Sequence, residues 1–371
     1  MDPVQYQALY QQVLWAAFAL AAAFGAIAQR SHFCTMGAVG DIVTMGDWTR
    51  MRMWALAAAV AIFGFQALVW AGLVNPELTL YASKRFIWLS ALVGGMLFGL
   101  GMVLGSGCGS KTLIRVGGGN LKSLVVFLVI GLSAFATIKG ITAVARSATV
   151  DQVALDLSIT ASLPAWLAQA TGWAAGSAGL ALALLVGGGL ALWALSNSAL
   201  RTPDGLLGGL GIGATVVALW WVSGHLGFVA EHPETLQETI VATNSGRAEA
   251  FSFVAPIAYT LDWLMFFSDK SKQLTVGIVS VFGVVLGSAA YALASGSFRW
   301  EGFRNAEDTA NHLMGGVLMG VGGVTAMGCT IGQGLSGLST LSLSSFVALA
   351  GIFLGGYAGL RWQIWRMERS L

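Results

Sequence analysis

The sequence predicts an all-α polytopic membrane protein, and three observations lead to this prediction. Hydrophobic residues make up 56% of the 371 residues and charged residues only 10%, whereas soluble domains have roughly 25% charged residues. Apolar runs near the ~20 residues that a membrane-crossing helix needs recur along the chain. The chain also has 50 glycines, several of them beside cysteines. We expect one transmembrane domain, residues 1–371, with about nine transmembrane helices, internal pseudo-twofold repeats and short half-membrane helices and loops.

The predicted spans follow one another with short polar connections. Segments 206–222 and 251–267 are both interrupted, the second by Pro256 and Asp262, and we expect one of these two not to cross fully. Three arginines against one glutamate near the end of the chain, Arg361, Arg366 and Arg369 against Glu368, predict a cytoplasmic C-terminus. In chain order, the candidate spans are 9–28, 53–74, 86–104, 121–144, 173–195, 206–222, 251–267, 276–294, 313–325 and 343–362.

A glycine-rich motif around a cysteine is repeated. A shift of 221 residues superposes segment 94–109 on 315–330 with 8 identities in 16 positions. Cys34 lies nine residues after Gly25, the interval that also separates Gly99 from Cys108 and Gly320 from Cys329. All three cysteines of the chain therefore occupy the same motif. The identical pairs are Gly94/Gly315, Gly95/Gly316, Leu97/Leu318, Gly99/Gly320, Gly101/Gly322, Val103/Val324, Gly107/Gly328 and Cys108/Cys329.

The repeats predict two halves, at about 1–150 and 165–371, joined by a water-exposed connection over 146–166. A fourth motif copy is degenerate, because the residue nine positions after Gly189 is Ser198. Repeated halves with glycine-broken helices are typical of transporters. Since unpaired backbone groups cannot face lipid, the breaks must be buried in protein or line a polar cavity.

The motif residues form the candidate substrate path. A possible N-cap and a short helical piece follow each cysteine, for example at 111–116 and 331–338. A helix that begins inside the membrane directs its free N–H groups and positive dipole end into the cavity, which suits a small anion. Lys111 and Arg115 either add positive field there or only mark a membrane face. The predicted N-caps are Thr35, Ser110 and Thr330, and the predicted path residues are Cys34, Cys108, Cys329, Gly107, Gly109, Ser110, Lys111, Gly328, Thr330 and Gly332.

Several classes of function are disfavoured. Three distant cysteines without a CxxC pair fit neither a disulfide framework nor a zinc site. A net charge of +2 without a basic cluster gives no basis for nucleic-acid binding. We expect no cofactor, no metal and no enzymatic activity. The energy source of transport stays open. Asp41 and Asp262 are the candidate proton carriers, and we expect Asp41 in a loop and Asp262 at a helix end.

The motif sequences resemble a known family. HFCTMG at 32–37, GSGCGSK at 105–111 and MGCTIGQGLSG at 327–337 are similar to the cysteine motifs of the YeeE/YedE family of sulfur-transport membrane proteins, in particular its thiosulfate-uptake type. The resemblance covers nearly the whole chain. It implies an hourglass-shaped, multi-pass protein of the bacterial inner membrane that relays thiosulfate, or a similar small sulfur anion, past Cys34, Cys108 and Cys329. It also implies a separate, soluble sulfur-carrier protein of the TusA type as a partner, besides the membrane lipid.

Two alternatives stay open at this point. A thiolate near a helix N-terminus can attack a sulfane sulfur, so the protein could be a membrane sulfurtransferase that forms a cysteine persulfide. The motifs also do not separate a sulfur from a selenium substrate, and soft thiol and thioether ligands suit a soft-metal permease.

Overall fold

The computed structural model describes residues 3–233 and 235–370, in which most of the regular structure is helical. Two helices, α9 and α10, contain π-helical turns, and each continues through them as a single helix. The helices are α1 Pro3–Arg30, α2 Thr35–Met45, α3 Thr49–Trp70, α4 Trp88–Leu104, α5 Gly109–Gly117, α6 Leu121–Lys139, α7 Ile141–Ala148, α8 Leu163–Thr171, α9 Ala175–Leu195, α10 Pro203–Leu226, α11 Val254–Met265, α12 Val276–Ala294, α13 Ala306–Thr325 and α14 Leu343–Ser370.

The all-α polytopic prediction is confirmed. In the described part of the chain, eight helical segments are long and apolar enough to cross a membrane. The 20-residue α13 is a ninth long helix, with Glu307 and Asp308 in its first turn. Of the two interrupted candidates, 251–267 is the one that does not cross, because α11 has only 12 residues, roughly 18 Å of helix against a ~30 Å hydrocarbon core.

The connection between the predicted halves differs from the expectation in two details. The span expected over 121–144 ends at Lys139, because Gly140 is extended (φ −107°, ψ −154°) and α7 begins there. Within 146–166, strand β2 (Leu155–Asp156) pairs antiparallel with β1 (Arg85–Phe86). A second two-stranded pair, β3 (Phe228–Val229) with β4 (Thr239–Ile240), precedes α11. The pairing of β2 with β1 therefore attaches segment 146–166 to the start of α4.

Contacts between helix ends define two faces. On the first, which we call the basic face, Arg30 pairs with Asp204 at 2.9 Å, and Lys122 lies 3.2 Å from Asp308. These contacts join the end of α1 to the start of α10, and the start of α6 to the start of α13. The end of α14 lies on the same face, where Arg366 pairs with Glu307 at 2.7 Å.

The opposite face, which we call the acidic face, contains the other helix ends. The Tyr10 hydroxyl of α1 donates to the Leu274 carbonyl just before α12 at 2.6 Å. The Thr160 hydroxyl donates to the Glu77 carboxylate at 2.6 Å. Arg247 donates to the Ala82 carbonyl at 2.8 Å. Most acidic residues of this face lie between β3 and α12 and around Glu77 and Asp151.

Close backbone packing of glycines positions the motif loops. Helix α4 lies parallel to α14, with Gly95 against the Ala348 carbonyl and Gly99 against the Ile352 carbonyl. It runs antiparallel to α13. The loop after α4 therefore enters from the basic face, whereas the loop after α13 enters from the acidic face.

Candidate functional site

The three motif copies share one backbone geometry. The residue two positions before each cysteine has a positive φ although it is not glycine, and non-glycine residues adopt this conformation only rarely. In the degenerate copy, Ser196 at the corresponding position has φ −66°. Ser198 is exposed, in a 3₁₀ turn at the basic face. The three residues with positive φ are His32 (53°), Ser106 (54°) and Met327 (57°).

Each preceding helix ends in a Schellman-type turn. The Gly107 N–H donates to the Met102 carbonyl at 2.8 Å, and the Gly328 N–H donates to the Gly323 carbonyl at 2.8 Å. The Phe33 N–H makes the matching bond to the Ala28 carbonyl at 3.2 Å. This arrangement ends a helix with one left-handed residue. The backbone therefore turns at the same point in each motif copy and directs the cysteine of that copy to the interior.

Cys34 and Cys108, and not the residues after them, are the N-cap residues of the next helices. Cys34 and Cys108 have extended backbones, and α2 and α5 begin directly after them. The Cys34 sulfur accepts from the Gly37 N–H at 3.3 Å and the Cys108 sulfur lies 3.2 Å from the Ser110 hydroxyl. The N-caps predicted at Thr35, Ser110 and Thr330 are therefore wrong, because α2 and α5 already contain Thr35 and Ser110 and the piece after Cys329 is capped by Ile331.

The short pieces also differ in extent from the prediction. Helix α5 covers Gly109–Gly117 where 111–116 was expected. The piece expected at 331–338 is a π-helical turn, Gly332–Gly337. Its first N–H lies 3.5 Å from the Cys329 sulfur. Residue Gln333 fixes this turn, because its amide donates to the Ala326 carbonyl and accepts from the Ser345 hydroxyl, both at 2.6 Å.

Two buried hydroxyls at matching positions have no protein partner. Thr35 and Thr330 each follow a motif cysteine and are fully buried. Within the described residues, neither hydroxyl makes a hydrogen bond to the protein. A buried hydroxyl without a partner costs about 1–3 kcal/mol, and such groups call for a specific explanation. These two hydroxyls are available to a ligand at the motif loops.

A polar cavity of about 480 Å³ opens on the basic face beside the first two motifs. Lys111 lines it and interacts electrostatically with both the Cys34 and the Cys108 thiols. Arg115 also lines it and donates to the Ser106 carbonyl at 2.6 Å, which holds the turn before Cys108. Cys34 is half-buried, whereas Cys108 is buried. Positive charge is therefore concentrated beside the first two motif loops, at the wall of this cavity.

Backbone N–H groups surround the third thiol. Cys329 is fully buried, and its sulfur is approached by the N–H groups of Gly332, Ile331 and Phe253. Phe253 comes from segment 241–253, which leads from β4 into the interior before α11. A cavity of about 200 Å³ on the acidic side reaches Gly328 in the same loop. Backbone N–H groups that converge in this way favour an anion.

The three thiols form a connected set. The Cys108 thiol interacts electrostatically with Cys34 and with Cys329. A Cβ on Gly109, directly after Cys108, would lie 3.8 Å from the Phe253 side chain, next to the Cys329 site. The predicted path residues are thus brought together around the three motif loops. Cys108 is the thiol that couples to both of the others.

Sequence reasoning missed three contributors to this site. Phe253 and Glu249 belong to segment 241–253, which follows a polar stretch and carries no cysteine motif. The Tyr81 hydroxyl donates to the Gly332 carbonyl at 2.5 Å and so holds the start of the π-helical turn. A short apolar run directly after Glu249, too short to cross, was the available signal for a segment that enters the membrane partway.

Two expectations about acidic residues are settled by their contacts. Asp41 lies within α2, not in a loop, and pairs with Arg50 at 3.3 Å. Asp262 lies in the last turn of α11, as expected, and pairs with Lys272 at 2.5 Å. Both carboxylates therefore have a basic partner.

The broken helices, the apolar spans and the buried motif loops define a polytopic membrane transporter. The family model described as "Sulphur transport" matches residues 30–358. The chain belongs to this family, the YeeE/YedE family.

Two curated relatives extend this assignment. A protein of Spirochaeta thermophila named thiosulfate transporter TsuA is 29% identical over 363 residues, which are 95% of this chain and 100% of that protein. The protein of the same name from Escherichia coli is 27% identical over 343 residues, 90% of each chain. The present chain is thus a transporter of a sulfur compound and not an enzyme.

Proposed function

We propose that this protein takes up thiosulfate across the bacterial inner membrane by passing the ion along Cys329, Cys108 and Cys34. The observations that support this proposal are that all three thiols lie in matching loops and that Cys108 couples electrostatically to both other thiols. One cavity lies beside the first two motif loops and another reaches the third. The names of the two curated relatives support thiosulfate as the ion.

The chemistry of the loops suits weak, successive binding. A neutral thiol is a weak hydrogen-bond donor, so it can contact an oxygen or the terminal sulfur of thiosulfate without forming a bond. The N–H groups at Cys329 and the hydroxyls of Thr330 and Thr35 supply further donors. Because each site is weak, the ion can leave it for the next, as permeation requires.

The charge distribution supports the direction of transport. Basic residues are concentrated on the basic face, which the positive-inside rule assigns to the cytoplasm. The ion then enters at the acidic-side cavity beside Gly328 and leaves past Lys111. Lys111 attracts the dianion toward the cytoplasmic end of the path.

Uptake of radiolabelled thiosulfate by cells that express single cysteine variants tests this proposal. Cys108→Ala and Cys329→Ala should abolish accumulation, because each removes one donor from a series without a bypass. Ser198→Ala, in the degenerate copy, is the matched control and should leave uptake unchanged. Full uptake by both cysteine variants would reject the relay.

Mass spectrometry of the purified protein after exposure to thiosulfate tests for covalent chemistry. Under the relay proposal the cysteine masses stay unchanged and no sulfite is released. A persulfide mass on any of the three cysteines, with sulfite in the medium, would replace the relay by sulfur transfer.

We further propose that a soluble sulfur carrier of the TusA type docks at the basic face, where the intact thiosulfate ion leaves the path. The wide polar cavity beside Lys111 and Arg115 supports this contact, because it opens directly from the inner end of the path. Co-purification of the two proteins, with Arg299→Glu and Arg304→Glu at the cavity rim as weakened variants, tests it.

A further inference from the structure

Glu249 is an acidic residue on the entry side of the path whose role the relay does not explain. It lines the 200 Å³ cavity together with Met327 and Gly328 of the Cys329 loop. Its side chain is half-buried. For an anion path, a carboxylate at this point is unexpected, because like charges repel.

The backbone around Glu249 is fixed. Its N–H donates to the Ser223 hydroxyl at 3.2 Å, and the same hydroxyl donates to the Glu249 carbonyl at 2.5 Å. Ser223 belongs to α10, so the segment is held against a spanning helix. The carboxyl group is therefore held at the cavity and does not swing freely into solvent.

The Glu249 carboxyl has only neutral partners in the described structure. One of its oxygens accepts from the Ser245 N–H at 3.3 Å and, through a short bond, from the Ser245 hydroxyl. No ion pair to Glu249 is present among the described residues. The neighbouring Arg247 instead donates to backbone carbonyls, including that of Ala82.

The titratable groups that face Glu249 are tyrosines. Tyr259 on α11 lines the same cavity as Glu249. Tyr81, in the segment before β1, interacts electrostatically with Glu249. The residues that α6, α12 and α13 contribute to the cavity wall are uncharged. Among the described residues that line this cavity, Glu249 is the only acidic one and none is basic.

The cavity has a route to the acidic face. It shares Asn244, Tyr259 and Thr275 with a wider cavity of about 460 Å³ that is lined by residues of that face. The wider cavity therefore connects the acidic face to the cavity that Glu249 and Gly328 both line. Burial raises the pKa of the Glu249 carboxyl above its usual value, against the opposing effect of the bonds from Ser245.

We propose that Glu249 is a proton-binding site that controls anion entry from the acidic face, an inference that rests on the anion transport proposed above. In its charged form the carboxylate repels the anion from the cavity. When it binds a proton from the acidic face, the neutral carboxyl admits the anion and donates a hydrogen bond to it. No other bond forms or breaks in this step.

Uptake into proteoliposomes at fixed internal pH tests the inference. As the external pH is lowered stepwise, the initial rate of the native protein should rise severalfold, because the protonated fraction of a carboxyl whose pKa is raised by burial increases. Glu249→Gln should be fast and insensitive to pH, because glutamine stays neutral. Ser245→Ala removes a bond that stabilises the carboxylate, so its pH profile should shift to higher pH.

Glu238→Gln, an exposed residue of the same face, is the matched control and should keep the native profile. A flat profile for the native protein, or a native profile for Glu249→Gln, would overturn the inference while leaving the transport proposal intact. Absence of uptake by the native protein would instead reject the transport proposal.

A measurement without substrate decides the proton site independently. Infrared spectra of the purified protein should show a protonated-carboxyl C=O band that titrates over the same pH range and is absent from Glu249→Gln. An unchanged band in that variant would assign the proton to another residue and overturn the inference.

Discussion

Gly101 and Gly315 contact each other through their backbones where α4 crosses α13. A Cβ on Gly101 would lie 2.8 Å from the Gly315 carbonyl oxygen, and a Cβ on Gly315 would lie 2.8 Å from the Gly101 carbonyl oxygen. Gly94 and Gly322 make the same contact further along, with a Cβ on Gly322 at 2.6 Å from the Gly94 oxygen. In the sequence alignment Gly94 matches Gly315 and Gly101 matches Gly322. The two helices therefore meet as inverted copies of each other.

The first prediction concerns this crossing. Gly101→Ala should lower the unfolding temperature of the purified protein, because its Cβ would lie 2.7 Å from the Met319 backbone nitrogen and backbone atoms cannot move aside alone. Overpacking of this kind costs about 1–3 kcal/mol. Gly189→Ala in α9 is the control, since a Cβ there meets nothing within 4 Å. Equal effects of the two variants would contradict the prediction.

The second prediction uses the unpaired hydroxyl of Thr330. Thr330→Val keeps the shape and removes a buried group without a protein partner, so the free energy of unfolding should stay the same or rise by about 1 kcal/mol. Thiosulfate uptake should nevertheless fall, with a raised KM, because a donor to the ion is lost. The control is Thr260→Val, whose buried hydroxyl donates to the Pro256 carbonyl at 2.7 Å. That variant should be destabilised, and a stabilised Thr330→Val with native uptake would show that the hydroxyl does not serve the ion.

The third prediction concerns Lys111, which interacts with two motif thiols at the basic-face cavity. Lys111→Met should slow thiosulfate uptake about 5- to 30-fold, since one nearby charge contributes roughly 1–2 kcal/mol at a partly solvated site. Lys84→Met, at an exposed residue of the acidic face, is the matched control and should transport at the native rate. Native uptake by Lys111→Met would mean that this lysine only marks the membrane face.

The fourth prediction is a pH dependence of stability at the basic face. The hydrogen bond from Lys122 lowers the pKa of Glu301 below its ordinary 4.5. A lowered pKa in the folded state stabilises the protein above the unfolded-state pKa, and this contribution disappears as the pH falls through the folded-state pKa. Because Glu301 is half-exposed, the effect should stay below about 1 kcal/mol.

Thermal unfolding of Glu301→Gln beside the native protein measures this effect. The variant should be slightly less stable near neutral pH, and the difference should vanish well below pH 4.5. A difference that stays constant through this range would show that Glu301 contributes by packing and not by charge.

The motif cysteines illustrate how far sequence reasoning reaches. Their common interval from a glycine predicted a common local structure, and the matching positive φ of His32, Ser106 and Met327 is that structure. The exact caps were missed, because a cysteine sulfur was not expected to accept a helix N–H. The division into two halves and the role of each path residue stay predictions.

Segment 241–253 illustrates where sequence reasoning ends. Phe253 and Glu249 reach the Cys329 region only because β4 and α10 hold the segment against the interior. A local sequence pattern does not predict the contact between this segment and the Cys329 region, because the residues are about 80 positions apart in the chain.

The sequence by itself determined the membrane class, the presence of several long apolar helices and the repeated cysteine motif. These follow from composition, from the length of apolar runs and from spacing, all of which are local properties. The tertiary structure alone decided which helix stops halfway, which thiol couples to both of the others, and that Glu249 lines a cavity with the Cys329 loop. Those answers depend on contacts between distant segments, where close packing of glycine backbones sets how deep each loop enters.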